Sequence, residues 1–299
     1  MTTDTLRTPQ LTPAPTVTRR PRRARRTLRN LPVHIGVTLL LIVVVYPLVW
    51  LLLGSFKTQN EFLSAPFWSL PQQWSLDNYV EAFVGGGLGG YIVNSVLAVF
   101  PSLALIVLLG TAAGFALEVM VWKGRGPVLL LFLAGIMVPV QMILLPLFTI
   151  YFNLDLTGTL WPLIITYVAI GMPLTVFMMA TYFRAVPREV FEAATIDGAN
   201  VYRLFWSVGL PLVRNAVFTV ALVQFFFLWN DLLISMTFVN SPGLRTIQVG
   251  LLNFTGSYGS VDYGPMFAAI SVNVLGTLLL YLFLNQKVMK GLTAGSVKG

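Results

Sequence analysis

Six polar side chains interrupt otherwise apolar runs: Asn94, Gln141, Gln224, Asn230, Asp231 and Asn273. Amides and a lone carboxylate do not make a nucleophile–base pair. What they offer is hydrogen bonding, either to a polar solute or between helices. An acid in the middle of an apolar helix costs about 2.5–3.5 kcal/mol on insertion scales, so each such group is expected to face protein or water. At helical spacing Gln224 and Asp231 share one face, and Phe225, Phe226, Phe227 and Trp229 add aromatic faces near these polar atoms. Gln141, Gln224, Trp229, Asn230 and Asp231 are the candidates for a substrate path, with hydrogen bonds between helices as the alternative reading.

Catalysis lacks its reagents. The chain has no cysteine and one histidine, His34, and contains neither Gly-x-Ser-x-Gly nor His-Glu-x-x-His. No catalytic, cofactor-binding or metal-binding residue is assigned, and the chain is not read as an enzyme. The glycines at 85–90 read as a flexible turn. A phosphate loop would need Gly-Lys followed by Ser or Thr, between a strand and a helix, whereas Lys298 follows Val297 and precedes the final Gly299.

These residues must be held by membrane-spanning elements. Of 299 residues 56% are hydrophobic and only 10% charged, against about 25% charged in soluble domains, which excludes an ordinary soluble protein. Six charge-poor runs, at 35–53, 91–117, 127–150, 160–183, 215–238 and 266–286, are each long enough to cross about 30 Å of hydrocarbon at about 1.5 Å per residue. The fold class expected is an all-α membrane protein of six transmembrane helices. Only the fifth run contains an acid. No internal repeat is visible, so any symmetry of the working machine lies between chains.

The formal net charge of +8 does not point to nucleic acid, because eight of the nineteen Lys and Arg precede residue 30. Residues 1–30, rich in Thr, Pro and Arg, read as a disordered basic tail. With six alternating spans, seventeen of the nineteen basic residues fall on one side and only Lys57 and Arg245 on the other. By the positive-inside rule both termini are expected in the cytoplasm. The connections at 54–90, 151–159 and 239–265 then face outward. The first carries Trp68, Trp74 and Tyr79, whose rings suit a membrane interface, and Ser75 and Asp77, suited to capping a short helix.

The loop at 184–214 reads as two short helices. Pro187 stands at the start of the first, which runs from Arg188 through Asp197, and Gly198 stands where a left-handed stop is expected. Asn200 is placed to cap a second run ending before Leu210-Pro211. Ala193 and Ala194 keep one side thin while Phe191 and Ile196 supply apolar bulk, a shape suited to another protein's groove.

Glu192-Ala193-Ala194, three residues, Gly198, nine residues, Val208, one residue and Leu210-Pro211 resemble the "EAA" loop of ABC importer permeases, with Val208 in place of the more usual isoleucine. The resemblance covers roughly residues 33–299. Residues 74–79 (Trp-Ser-Leu-Asp-Asn-Tyr), Pro139, Gln141 and Pro146, and Trp229-Asn230-Asp231 are similar to stretches of carbohydrate permeases. The terminus Gly291-Leu292-Thr293-Ala294-Gly295-Ser296-Val297-Lys298-Gly299 is similar to that of the maltose-type subunit that partners a longer permease.

The resemblance implies a permease domain over 31–290, with a coupling loop at 184–214 that docks on an ATPase through Glu192, Ala193, Ala194, Asp197, Gly198, Leu210 and Pro211. It implies a C-terminal tail, 291–299, whose Gly295, Ser296, Val297, Lys298 and Gly299 contact the ATPase subunits. The implied partners are a second permease, two ATPase subunits holding ATP and Mg, and an extracytoplasmic sugar-binding protein, in the lipid of a bacterial inner membrane. The implied substrate is an oligosaccharide, with maltodextrin- or trehalose-like α-glucosides favoured. The alternative, a self-sufficient secondary transporter or channel, needs coupling-ion ligands or proton-relay acids, and a single intramembrane acid is thin provision for either.

Overall fold

A computed structural model of the chain describes residues 31–255 and 261–295. The expected basic tail (1–30) and Ser296, Val297, Lys298 and Gly299 of the expected C-terminal contact lie outside them. Among the described residues there is no strand, only an isolated antiparallel bridge between Thr255 and Val261. The chain divides into two compact units, Met1–Val49 and Trp50–Gly299. The described part of the first is the bulk of helix α1 (Leu31–Gly54), which has no Asp, Glu, Lys or Arg and most of whose apolar side chains are exposed. Such a helix is built for lipid on every side.

The second unit carries two short helices, α2 (Gln59–Ser64) and α3 (Asp77–Val84), then α4 (Leu88–Glu118). Next come α5 (Arg125–Ile136), α6 (Val140–Asn153) and α7 (Trp161–Arg184). The loop after α7 holds α8 (Arg188–Ile196) and the single turn α9 (Val201–Arg203). A π-helical segment, Leu204–Gly209, leads into α10 (Leu210–Trp229), followed by α11 (Leu233–Phe238), α12 (Ile247–Gly250) and the terminal α13 (Tyr263–Gly295). Among the described residues five helices are long and apolar enough to cross a membrane, and α5 with α6 makes a sixth span if the bent pair is counted as one.

Two of the expected spans are not straight rods. The run at 127–150 is broken between α5 and α6, which meet at 97°. Pro139 disfavours helical geometry at Val138, and its own backbone is extended (φ −65°, ψ 124°). The run at 215–238 is broken after Trp229 and resumes at Leu233, so Asp231 lies in a gap rather than in mid-helix. Conversely, the second short run of the 184–214 loop does not stop before Leu210-Pro211. Val201–Trp229 is one continuous helical span. A proline in an α-helix collides with the carbonyl four residues back, here that of Ser207, and the widened π turn immediately before Pro211 makes room for the ring.

The central packing is α4 against α7, and it is close because small residues line it. Gly110 sits against Thr175, and Gly114 sits against Met179 and Ala180. Ser102, Thr166 and Thr175 are buried in the same region and hydrogen-bonded. Between helices in lipid, small residues bring the backbones together and hydroxyls find acceptors nearby. Ser102 donates to Ala98 O at 2.7 Å, and the Tyr151 and Thr166 hydroxyls pair at 2.9 Å, tying α6 to α7.

A Cβ at Gly114 would lie 2.7 Å from Met179 Cβ and 2.9 Å from the Ala180 nitrogen, groups that cannot swing aside. Gly114→Ala is therefore expected to destabilise the protein by about 1–3 kcal/mol through overpacking. At Gly126 nothing stands within 4 Å of such a Cβ, and Gly126→Ala is expected to be neutral by comparison. Thermal unfolding of the two purified variants in detergent checks the contrast.

Candidate functional site

Two regions concentrate polar groups beside open space. The first is a cavity of about 390 Å³ where the broken span meets α7, α10 and α11. Its wall includes Gln141 of α6, Tyr167 of α7, Gln224 of α10 and Asp231 of the gap. Gln224 is buried and donates from Nε2 to Gly171 O (3.1 Å) and Thr175 Oγ1 (2.9 Å). A Cβ at Gly171 would meet Ile106 Cδ1 at 2.6 Å and Gln224 Oε1 at 3.3 Å, so the ends of both side chains would have to shift to admit one.

Asp231 organises the gap. Its Oδ1 accepts from the Ile234 N–H (3.2 Å), and its Oδ2 from the Ser235 N–H (2.9 Å) and the Tyr167 hydroxyl (2.9 Å). The two amides are in the first turn of α11, so the carboxylate satisfies donors that a helix start leaves unpaired. Asp231 was expected on a helical face with Gln224. The helix ends at Trp229, and the two residues reach one cavity because the chain bends, not because of seven-residue spacing.

The other two candidates lie elsewhere. Asn230 is exposed and its Nδ2 bonds back to Phe226 O at 3.0 Å within α10. Trp229 turns to α13: its Nε1 donates to Asn273 Oδ1 (2.9 Å), its ring stacks on Phe225 at 5.4 Å, and it lines a separate, mostly apolar cavity of about 280 Å³. Both are therefore removed from the wall of the first cavity. Tyr167, whose hydroxyl donates to Asp231, joins Gln141, Gln224 and Asp231 in the wall. The signal was available, since a tyrosine buried inside an apolar helix requires a partner for its hydroxyl.

The second region is the 184–214 loop. Helix α8 begins after Pro187 and ends before Gly198, whose φ of 81° is the left-handed geometry a helix stop uses. Asn200 Oδ1 caps α9 by accepting from the Arg203 N–H at 2.9 Å. Phe191 is buried in an aromatic cluster, with ring centroids 6.1 Å from Phe115, while Phe115 lies 5.5 Å from Phe183 and 5.3 Å from Phe205. Phe191 is thus the internal anchor of α8. Of the two apolar residues expected to meet a partner, only Ile196, 86% exposed, is free to do so.

Glu192, Ala193, Asp197 and Gly198 are exposed and Ala194 is half-buried. Leu210 and Pro211 do not belong to that face but to the start of α10. A cleft of about 540 Å³ lies along α8, edged by Glu118, Arg184, Arg188 and Glu192. At its rim Arg184 grips Glu118 with two bonds, Nε to Oε1 at 3.1 Å and Nη2 to Oε2 at 2.9 Å, fastening the end of α7 to the end of α4.

An α-helical membrane unit with a broken span, a polar cavity among its helices and a solvent-exposed helix on the loop between two spans is the architecture of a transport permease. Residues 106–286 match the family described as "Binding-protein-dependent transport system inner membrane component". The chain belongs to that family, the membrane permeases of ABC importers. It is 36% identical over 258 residues to the diacetylchitobiose uptake system permease protein NgcG of Streptomyces coelicolor, covering 86% of this chain and 85% of the relative. It is 31% identical to the arabinooligosaccharides transport system permease protein AraQ of Halalkalibacterium halodurans, covering 89% and 95%. A chain of the crystal structure of a bacterial ABC transporter that imports alginate shares the fold, with a TM-score of 0.76, 17% identity and coverage of 91% and 99%.

Asparagine at 231 removes the charge and keeps one of the two accepting oxygens, whereas alanine leaves both Ile234 and Ser235 without their acceptor. Asp231→Ala is expected to cost about 1–3 kcal/mol and lower membrane abundance. Asp231→Asn is expected to lower abundance less than Asp231→Ala and to change transport by more than its loss of abundance. Quantitative immunoblotting beside sugar uptake separates the two.

Proposed function

We propose that this chain is one permease half of an ATP-driven oligosaccharide importer in a bacterial inner membrane, with both termini and the 184–214 loop in the cytoplasm. It works beside a second permease and two ATPase subunits, which hold ATP and Mg, and receives sugar from an extracytoplasmic binding protein. Membership of the family favours this reading over a self-sufficient transporter. The substrate class rests on relatives named for diacetylchitobiose and arabinooligosaccharides. The narrower choice of an α-glucoside, maltodextrin- or trehalose-like, rests on the C-terminal nonapeptide alone.

The observation that carries the mechanism is the continuous helical path from the loop to the cavity. Helix α8 is seated by Phe191 against Phe115 and packs beside Leu204 and Phe205 of the π segment. That segment is part of the continuous helix Val201–Trp229, about 43 Å long at 1.5 Å per residue. Gln224 is near its far end and the Asp231 gap follows. A push on Glu192, Ala193, Ala194, Asp197 and Gly198 by a closing ATPase would move this rod as a body and tilt the cavity wall. Leu210 and Pro211 would act within the rod, at the widened turn, and Gly295 through Gly299 would meet the ATPase pair from the other end of the chain. Gln141, Tyr167, Gln224 and Asp231 give the cavity donors and acceptors for sugar hydroxyls.

Glu192→Ala removes the exposed carboxylate, and Gly198→Pro replaces φ 81° with a residue fixed near −65°. Each is expected to leave the protein in the membrane and to reduce sugar-stimulated ATP hydrolysis of the reconstituted complex on the order of tenfold or more. Truncation before Gly295 is expected to weaken the same stimulation. Wild-type stimulation in all three would defeat the coupling assignment.

Calorimetric titration of the cognate binding protein with maltodextrins, trehalose, diacetylchitobiose and arabinooligosaccharides tests the substrate. Tight binding of one oligosaccharide class is expected. Binding of α-glucosides favours the narrower choice, and binding of another class rejects it while leaving the permease assignment intact.

A further inference from the structure

Between α2 and α3 the chain forms a strap, residues 65–76, whose charge arrangement is the reverse of a water-facing loop. From Phe62 to Leu76 there is no Asp, Glu, Lys or Arg. Leu63, Phe67, Trp68, Leu70, Trp74 and Leu76 are all turned outward, from 64% exposed at Phe67 and Trp74 to 71% at Leu63. Of the charges that flank it, Lys57 (3% exposed) and Glu61 (9%) on the N-terminal side are turned inward, while Asp77 at the other end is exposed and accepts from the Ser75 hydroxyl. Loops in water bury apolar groups and expose charges, so a loop that does the opposite has an apolar surrounding.

The inward charges serve the strap's own backbone. Glu61 Oε1 accepts from the N–H groups of Gln72 (3.1 Å) and Gln73 (3.0 Å), while Lys57 Nζ donates to Ser69 Oγ (3.1 Å) and Phe67 O (3.4 Å). Main-chain groups bonded internally need no water, which is the condition for irregular backbone at membrane depth.

The strap's level is set by Trp50. Its Nε1 donates to Phe67 O at 2.7 Å, and Trp50 stands one turn before α1 ends at Gly54. Phe67 and Trp68 are thus level with the last turn of a membrane-spanning helix, where tryptophan is favoured.

We infer that residues 63–76 are an interfacial anchor: Leu63, Phe67, Trp68, Leu70, Trp74 and Leu76 insert into the lipid leaflet in which α1 ends. The occupant of this surface is lipid. Insertion on that side fixes the height of α1 and of the α2–α3 segment without a further span.

The absence of native cysteine permits a direct test. Trp68→Cys, Leu70→Cys and Trp74→Cys are made singly, labelled with a nitroxide and studied in the complete transporter in liposomes, with and without the binding protein. Each label is expected to be more accessible to oxygen than to a water-soluble nickel chelate, and to stay so when the binding protein is added. Greater access to nickel would place the strap in water. Shielding from both reagents, in the resting complex or on addition of the binding protein, would make it a protein-docking surface. Either result overturns the inference. If a tryptophan replacement prevents assembly, Leu63→Cys and Leu76→Cys carry the same readout with a smaller change of volume.

Discussion

Hydrocarbon offers no hydrogen bonds, so wherever a spanning helix is interrupted some other group of the protein must meet the freed amides and carbonyls. This constraint explains where the polar residues of this chain are. At the gap after Trp229 the Asp231 carboxylate meets the first amides of α11 and is itself steadied by the Tyr167 hydroxyl. Beside it Gln224 bonds the Gly171 carbonyl where α7 and α10 approach. The cavity lies among these groups because an interruption leaves room that a regular helix would fill.

The same rule acts at the end of the molecule opposite α8. Asn94 donates to the carbonyls of Gly243 and Arg245, Ser95 Oγ accepts from the Ile247 N–H, and Ser235 pairs with Thr246 at 2.6 Å. The irregular chain after α11 is thereby moored to α4. One set of short polar side chains therefore holds α4, α7, α10 and the return segment together, and the α4–α7 contact through Gly110 and Gly114 gives that frame its closeness.

Against this frame α8 is a separate part with a firm mounting. Phe191 enters the aromatic cluster around Phe115, and the rest of the helix presents exposed side chains, charged Arg188, Glu189 and Glu192 beside apolar Val190 and Ile196. In the proposed importer this division suits a transmission element: the inner side moves with the rod Val201–Trp229, and the outer side can be gripped by a partner. The π turn before Pro211 keeps the helix continuous from the loop to the cavity.

Composition and spacing alone determined that the chain is a helical membrane protein, where its apolar runs fall, and that Pro187 and Gly198 bracket a short helix, because these follow from local hydrophobicity and backbone preference. Only the tertiary structure decided which runs bend. Pro47, Pro101, Pro146 and Pro173 sit inside continuous helices while Pro139 marks a break, and the gap at 230–232 has neither proline nor glycine. It also decided that Trp229 turns to Asn273 and Asp231 to Tyr167. The physical reason is that helices in lipid are apolar all round, so hydrophobic periodicity no longer says which face looks inward, and packing against neighbours distant in sequence makes that choice.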